Sequence, residues 1–223
     1  YTFLCLGSSN SVKQHPSSRS FRPEPRRAVY DVLYGFVPIA EWEEKLINSP
    51  FYQRLRWIKQ LGFANYIFPG AEHTRFAHAI GVMHSMHQMV QALGVGVSEQ
   101  DLFNRKVKSP EAQLHRALRI AALLHDVGTF PFSHAIEYAY IRHGNDDRRT
   151  AQRGAKSLPN SHEHLGSFII KNSDFDGGIT QILEEFDLDV RLISKIIKGD
   201  SKHVIANQLM HSDLDADRMD YLI

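Results

Sequence analysis

The chain has 223 residues, 43% of them apolar and 23% charged, with a net charge of +1. That composition suits a globular domain with a sizeable core, and the near-neutral balance carries no overall signal of nucleic-acid binding. A single cysteine, Cys5, excludes an intrachain disulfide framework and fits a reducing compartment, so a cytoplasmic setting is expected.

In chain order, the apolar start Tyr1–Leu6 is shorter than a signal-peptide core, and no later run is long enough to cross a bilayer. The stretch to about Ala28 is rich in Ser, Pro and Arg, lacks periodicity, and reads as an extended basic tail. Its Arg19, Arg22, Arg26 and Arg27 could touch a polyanion such as nucleic acid, although a solvated tail with no partner is the plainer reading. From about Val29 to the last residue a single domain is expected. Strand-like pieces near Tyr30–Val37 and Asn65–Phe68 suffice for at most a small ribbon. Pro50 opens a helix with Phe51, Leu55 and Ile58 on one face and Gly62 as its stop. A second helix, about Thr74 to Leu93, is apolar on most sides and so central. The third, about Pro110 to Asp126, carries Leu114, Leu118, Ala121, Ala122 and His125 on one stripe and stops at Gly128. Pro131 and Ser133 precede a helix through about Ile141, and the polar stretch Asn145–Asn160 reads as a loop. Ser161 caps a helix to about Lys171, and Asp189 caps another that ends at Gly199. Two more follow, roughly His203–Met210 and from Asp213 onward. The fold class is mainly α, with no internal repeat.

Four separated groups on these helices read as one metal site: His78, the adjacent pair His125 and Asp126, and Asp217. Two imidazoles and two carboxylates suit one divalent ion of the Mn, Fe, Ni, Zn or Mg kind, because nitrogen and hard oxygen donors are both offered. Such an ion supplies a hydrolytic nucleophile near neutral pH. A lone histidine on an apolar helix is more often a hydrogen-bonded core residue. His125 and Asp126 differ, because two titratable groups ending an apolar stripe need a partner or a metal. Leu214, Asp217, Arg218, Tyr221 and Leu222 repeat at helical spacing, so Asp217 and Arg218 are expected on an inward stripe. The alternative is an Asp217–Arg218 pair, but neighbours in a helix do not face each other well. His134 and Glu137 lie three apart on one helix face, where the carboxylate can orient the imidazole as in a base and its orienter.

The order H…HD…D resembles the HD-domain phosphohydrolase superfamily. The runs FYQRLRWIKQLGFANYIFPGAEHTRFAHAIGV, ALLHDVGTFPFSH, HEHLGS and DLDADRMDYL are similar to its deoxynucleoside triphosphate triphosphohydrolase branch. The resemblance implies an all-helical fold with a metal centre at which water attacks the α-phosphorus of a dNTP, releasing a deoxynucleoside and tripolyphosphate. It implies that His134 activates or positions the nucleophile and that His162 donates a proton to the departing 5′-oxygen; a surface histidine beside a cap is the bland reading of His162. It further implies that Arg75 and Arg218 bind phosphates, that Gln60 and Leu61 meet the sugar, and that Tyr221 packs beside it. Guanidinium groups fork onto phosphate oxygens with two hydrogen bonds. Relatives also form homo-oligomers through a second nucleotide site, matched here by Asn48–Arg56. Gln53 and Arg56 agree with those contacts, while Asn48 replaces an Asp that reads guanine.

Four departures limit the likeness. Thr129 and Phe130 stand where the branch has a second His and Gly, Tyr34 stands where it commonly has His, and Arg218 replaces a Lys. Relatives also continue beyond the position of Ile223 with helices that carry further contacts, so the chain reads as a shortened relative or a fragment. Two alternatives stay open: an HD hydrolase of monophosphates or other phosphoesters, and a regulatory metal- or nucleotide-binding module without catalysis. His73, His84, His87, His115, His164, His203 and His211 receive no role.

Overall fold

The computed structural model describes residues 27–144 and 161–222, so the basic tail before Arg27, the polar loop 145–160 and Ile223 lie outside the described residues. Two short strands, β1 (Ala28–Asp31) and β2 (Gly35–Pro38), pair antiparallel with Tyr30 opposite Phe36. The turn between them is built by Asp31, whose Oδ1 accepts the backbone N–H groups of Leu33 and Tyr34 at 2.8 and 3.2 Å. Gly35, at φ +72°, closes it. The expected ribbon is present, and its first strand begins where the tail was expected to end.

All other regular structure among the described residues is helical. The α-helices are α1 (Glu41–Asn48), α2 (Pro50–Gln53), α3 (Arg75–Ala92), α4 (Glu99–Phe103), α5 (Pro110–Leu124) and α6 (His134–Gly144). From residue 161 onward come α7 (His162–Asn172), α8 (Ile179–Glu185), α9 (Val190–Ile197), α10 (Val204–His211) and α11 (Ala216–Tyr221). The fold is that of a mainly α domain. No described helix is long and apolar enough to cross a membrane.

The centre is the pairing of α3 with α5, flanked by α9 and α11. Ala79, Val82, Met83, Met86, Ile120, Ala121, Leu123 and Leu124 are wholly buried there. Thr74 caps α3 by accepting the Ala77 N–H, and Ser109 caps α5 ahead of Pro110. A buried ion pair ties α5 to the ribbon side. Arg119 donates to both Glu43 oxygens at 2.8 and 3.0 Å and to Pro38 O, while Glu43 also accepts from Ala40 N.

Three sequence expectations fail locally. The helix from Pro50 to Gly62 breaks after Gln53 into a 3₁₀ turn (Arg54–Trp57), and Ile58 is extended. Backbone pairing of Ile58–Gln60 with His73–Arg75 captures that segment, through Gln60 N to His73 O and Arg75 N to Ile58 O. Asn65–Phe68, aromatic and strand-like in composition, instead follows Gly62 into a second 3₁₀ turn, Gly62–Tyr66. The expected inward stripe of α11 also turns out differently. Leu214, Tyr221 and Leu222 are exposed, and Arg218 reaches back to Asp213 O and Oδ1 at 3.1 and 3.3 Å. The inward residues of α11 are Ala216, Asp217 and Asp220, so the expectation holds for Asp217 and fails for Arg218.

Candidate active site

Three elements bring four side chains together at the end of α5. His78 comes from the first turns of α3, His125 and Asp126 from the turn that ends α5, and Asp217 from the first turn of α11. One donor atom each from His78, His125 and Asp217 lies within 4.8 Å of the others. His78 Nε2 is 2.7 Å from Asp217 Oδ1, and His125 Nε2 is 3.9 Å from the same oxygen and 3.5 Å from Asp126 Oδ2.

His125 supplies the test of whether a cation fits. Its Nδ1–H donates to Ala122 O at 2.7 Å, which turns Nε2 toward the carboxylates. That nitrogen is buried and has no hydrogen-bond partner. A buried nitrogen with no hydrogen-bond partner, set among carboxylate oxygens, marks a point where positive charge is stabilised and where a cation would find both nitrogen and oxygen donors. The donor set, imidazole nitrogen and hard oxygen, fits a divalent ion of the Mn, Fe, Ni, Zn or Mg kind. Electrostatics agree. Burial would lower the His78 pKa, but its hydrogen bonds to the Asp217 and Asp220 carboxylates overcome it and raise it to about 9. Burial alone would raise Asp217, yet its bond to His78 and the nearby His125 hold it below the usual carboxylate range.

Asp126 is wholly enclosed and doubly gripped. Arg75 Nη1 donates to Oδ2 at 2.7 Å, and Thr129 Oγ1 donates to Oδ1 at 2.9 Å. Burial opposes its charge, but His125 and Arg75 hold it far below the ordinary carboxylate value. Thr129, at the position of the expected second histidine, thus serves as a hydrogen-bond anchor for Asp126.

A second cluster sits across Arg75. Glu137 Oε2 accepts from His134 Nδ1 at 2.8 Å, and Oε1 accepts from His162 Nδ1 at 2.9 Å and from the His162 backbone N–H at 2.6 Å. Despite burial, these bonds keep the Glu137 carboxyl below its usual range. Each imidazole therefore turns Nε2 away from Glu137, and that of His162 lies 3.4 Å from Glu163 Oε1. Arg75 joins the clusters: Nη2 donates to Ser133 Oγ at 2.5 Å and lies 3.1 Å from His134 Nε2, while its buried Nε has no partner.

Local backbone explains how these groups meet. Phe132 and Ser133 adopt left-handed φ of 61° and 58° just before α6, a conformation costly for side chains other than glycine and common at functional sites. Ser133 is held there by Arg75 and by its own bond to Gln60 O at 3.3 Å. Gly128 lets the turn after Asp126 press on the start of α7. A Cβ at Gly128 would lie 2.1 Å from His162 O and 2.3 Å from Gly166 N.

The remaining predicted residues lie at different distances from this arrangement. Gln60 is adjacent, and its buried Oε1 lacks a partner, so an acceptor stands unused beside Arg75 and Ser133. Leu61 is partly exposed and Tyr221 more so. Arg218 is not brought to the clusters; it pairs with Asp213 at the surface. Gln53 and Arg56 bond to each other at 2.9 Å, Gln53 donates to Ile47 O, and Arg56 stacks on Phe76, with Asn48 exposed nearby. Sequence reasoning missed Asp220, whose Oδ2 is 2.7 Å from His78 Nδ1. Its spacing of three from Asp217 on one helix was the available signal.

The HD domain family matches residues 75–223, which include all four predicted metal ligands and the second cluster. The chain belongs to the HD-domain family. The deoxynucleoside triphosphate triphosphohydrolase SAMHD1 homolog of Dictyostelium discoideum is 30% identical over 207 residues, 88% of this chain and 35% of that protein. Human deoxynucleoside triphosphate triphosphohydrolase SAMHD1 is 31% identical over 188 residues, 82% of this chain and 27% of that protein. This HD-domain chain thus spans about a third or less of these relatives. Among solved structures, a hypothetical protein from Aquifex aeolicus superposes with a TM-score of 0.63 at 30% identity, over 88% of this chain and 44% of that one. A phosphohydrolase from Bacteroides thetaiotaomicron gives 0.60 at 26% identity, over 88% and 40%.

Proposed function

We propose that this HD domain is the catalytic part of a metal-dependent phosphohydrolase, with dNTPs as substrates and deoxynucleoside plus tripolyphosphate as products. The observation that carries the reading is the unsatisfied His125 Nε2 among carboxylates, set one guanidinium away from a carboxylate-bridged histidine pair. His78, His125, Asp126 and Asp217 would hold one divalent ion. When bound, that ion supplies Lewis acidity to a phosphate oxygen and to water.

The rest of the chemistry falls to side chains. His134, with its Nδ1–H on Glu137, offers Nε2 to take a proton from the attacking water. The new bond forms at the α-phosphorus and the bond to the 5′-oxygen breaks. His162, fixed by the other Glu137 oxygen, delivers a proton to that leaving oxygen. Arg75 now spends its donors on Asp126, Ser133 and His134; an arriving phosphate would take over Nη2 and the unused Nε. Gln60 Oε1 is an acceptor suited to a sugar hydroxyl. Arg218 and Tyr221, exposed on α11, would have to turn inward to meet nucleotide. Homo-oligomerisation with nucleotide at Gln53 and Arg56 is part of the same reading; it would have to break the present bond between those two side chains.

One observation favours a second reading. Thr129 is committed to Asp126, so the phosphate side lacks the extra imidazole expected of dNTP hydrolases, which suits a monophosphate or another phosphoester. A single assay separates the two. The protein is incubated with Mn, Fe, Ni, Zn or Mg and with dNTPs, dNMPs or a generic phosphoester. Tripolyphosphate from dNTPs supports the first reading, orthophosphate from dNMPs or the phosphoester the second, and no product with any metal rejects both.

A further inference from the structure

His78 uses both ring nitrogens. Nε2 faces Asp217 and, beyond it, His125, while Nδ1 is 2.7 Å from Asp220 Oδ2 on the opposite side. Asp220 is in turn held by a residue far away in sequence. The Tyr34 hydroxyl donates to Asp220 Oδ1 at 2.8 Å and lies 3.3 Å from Ser85 Oγ. Tyr34 is in the β1–β2 turn, where the Asp31 cap and the ring of His84, 4.7 Å from its own ring, fix its direction. Burial and the neighbouring Asp220 push the Tyr34 hydroxyl up to about 12, so it remains a donor at neutral pH.

Room for Asp220 comes from one missing side chain. Gly81 lies one turn after His78 on α3, and a Cβ there would stand 1.9 Å from Asp220 Oδ1 and 2.6 Å from its Cγ. The glycine is helical and unstrained, so close approach is the physical reason on hand for its presence in the middle of a buried helix. The carboxylate is nearly enclosed, with a side-chain exposure of 10%, and both its oxygens are used.

We propose that Asp220 is the positioning residue for His78: seated over Gly81 and held by Tyr34, it takes the Nδ1 proton and aims the Nε2 lone pair at the metal. The inference rests on the metal-centre reading above and extends it to a path that begins in the ribbon. A carboxylate on the far nitrogen of a metal-binding imidazole fixes the tautomer, orients the ring and raises its basicity. Asp217, half exposed, cannot do this, because it occupies the Nε2 side with the other donors.

The test measures Mn²⁺ affinity of the full chain by competition with a chromophoric chelator, next to the melting temperature of each metal-free variant. Asp220→Asn keeps the shape and an acceptor but removes the charge. It should weaken Mn²⁺ binding by roughly 10–100-fold. Tyr34→Phe deletes one hydroxyl and leaves the ring on His84; it should weaken binding by about threefold to tenfold, a smaller effect because it acts through Asp220. Neither change should alter the metal-free melting temperature by more than a few degrees, which separates loss of aim from loss of fold. Should Asp220→Asn fail to fold, Tyr34→Phe decides alone. Unchanged affinity in a folded variant overturns the role of Asp220. Absence of Mn²⁺ binding by the parent chain overturns the metal-centre reading and this proposal with it.

Discussion

Arg75 and Asp126 form an ion pair at 2.7 Å in which the two side chains are only 5% and 1% exposed, and this pair is the wall shared by both clusters of the site. Its remaining donors turn toward Ser133 and His134. The pair therefore has two separable duties, charge balance for Asp126 and alignment of His134.

Replacement of Arg75 by Ala leaves Asp126 enclosed without its cation and should cost about 3–5 kcal/mol of stability. Arg75→Lys restores charge but cannot fork to Ser133 and His134. It should recover most of the stability while turnover stays at least tenfold below the parent. Urea unfolding and steady-state rates, measured on the same preparations, check this. Parent-like turnover in Arg75→Lys would show that alignment of His134 does not depend on the fork.

The second cluster predicts a different pattern. His134→Ala and His162→Ala should each lower turnover by roughly two orders of magnitude or more, the usual scale for a positioned proton-transfer group, with metal content unchanged. Glu137→Gln should impair both histidines at once, because one carboxylate holds both Nδ1 atoms. Elemental analysis alongside kinetics decides the matter. Metal lost in parallel with activity would make these residues ligands.

Away from the site, a buried pair predicts the pH response of the fold. Val97 N–H donates to His115 Nδ1 at 3.3 Å, which places the ring proton on Nε2, from where it is given to His87 Nδ1 at 3.1 Å. Burial first, then Arg119 for His87 and His87 itself for His115, lowers both pKa values; Arg116 and His84 add to this, while Glu99 and Glu43 act against it at His87. With folded values below the ordinary 6.5, the unfolded chain gains protons that the folded chain refuses as pH falls below 6.5. Stability should therefore drop between pH 6.5 and 5. His78 has the opposite sign, its contribution in the metal-free protein being lost as pH rises through about 9, and so it does not enter that window. Urea midpoints at pH 6.5 and 5 test this, and His87→Gln with His115→Gln should flatten the difference.

The oligomeric state gives a fourth test. An amide at Asn48 offers one acceptor and a mismatched NH₂ to the guanine edge, a mismatch of about 1–3 kcal/mol. Light scattering should show association that no single nucleotide controls. A response to GTP alone contradicts the Asn48 argument, and a monomer under every condition removes the regulatory site.

Much of this was legible where a residue's role follows from helical period and a short motif. The buried faces of α3 and α5 announce themselves by apolar spacing, and His125–Asp126 stands out because charge ends an apolar stripe. The segment after Gln53 was not legible, because its outcome depends on backbone pairing with His73–Arg75, a tertiary contact that overrides local propensity. Helices α1, α4 and α8 are short, and in α1 the buried Glu43 interrupts the apolar pattern with a charge answered only by Arg119, distant in sequence. Asp220 was hidden for a similar reason: its partners, His78 and Tyr34, come from elements that sequence alone does not bring together.

The contact at Gly128 has a consequence for chain length. Since the backbone there touches the backbone at the start of α7, no side chain lies between them to absorb an error. Gly128→Ala should cost up to about 3 kcal/mol, in the upper range for overpacking, and should move His162 off Glu137. The stretch from Val127 to Ser133 is in effect a ruler, fastened at Asp126 by Arg75 and Thr129 and at Ser133 by Arg75 and Gln60. Adding or removing one residue along it would leave both ends anchored and the path between them the wrong length. In such a variant, proton-transfer groups and metal ligands would each persist, but out of step with one another.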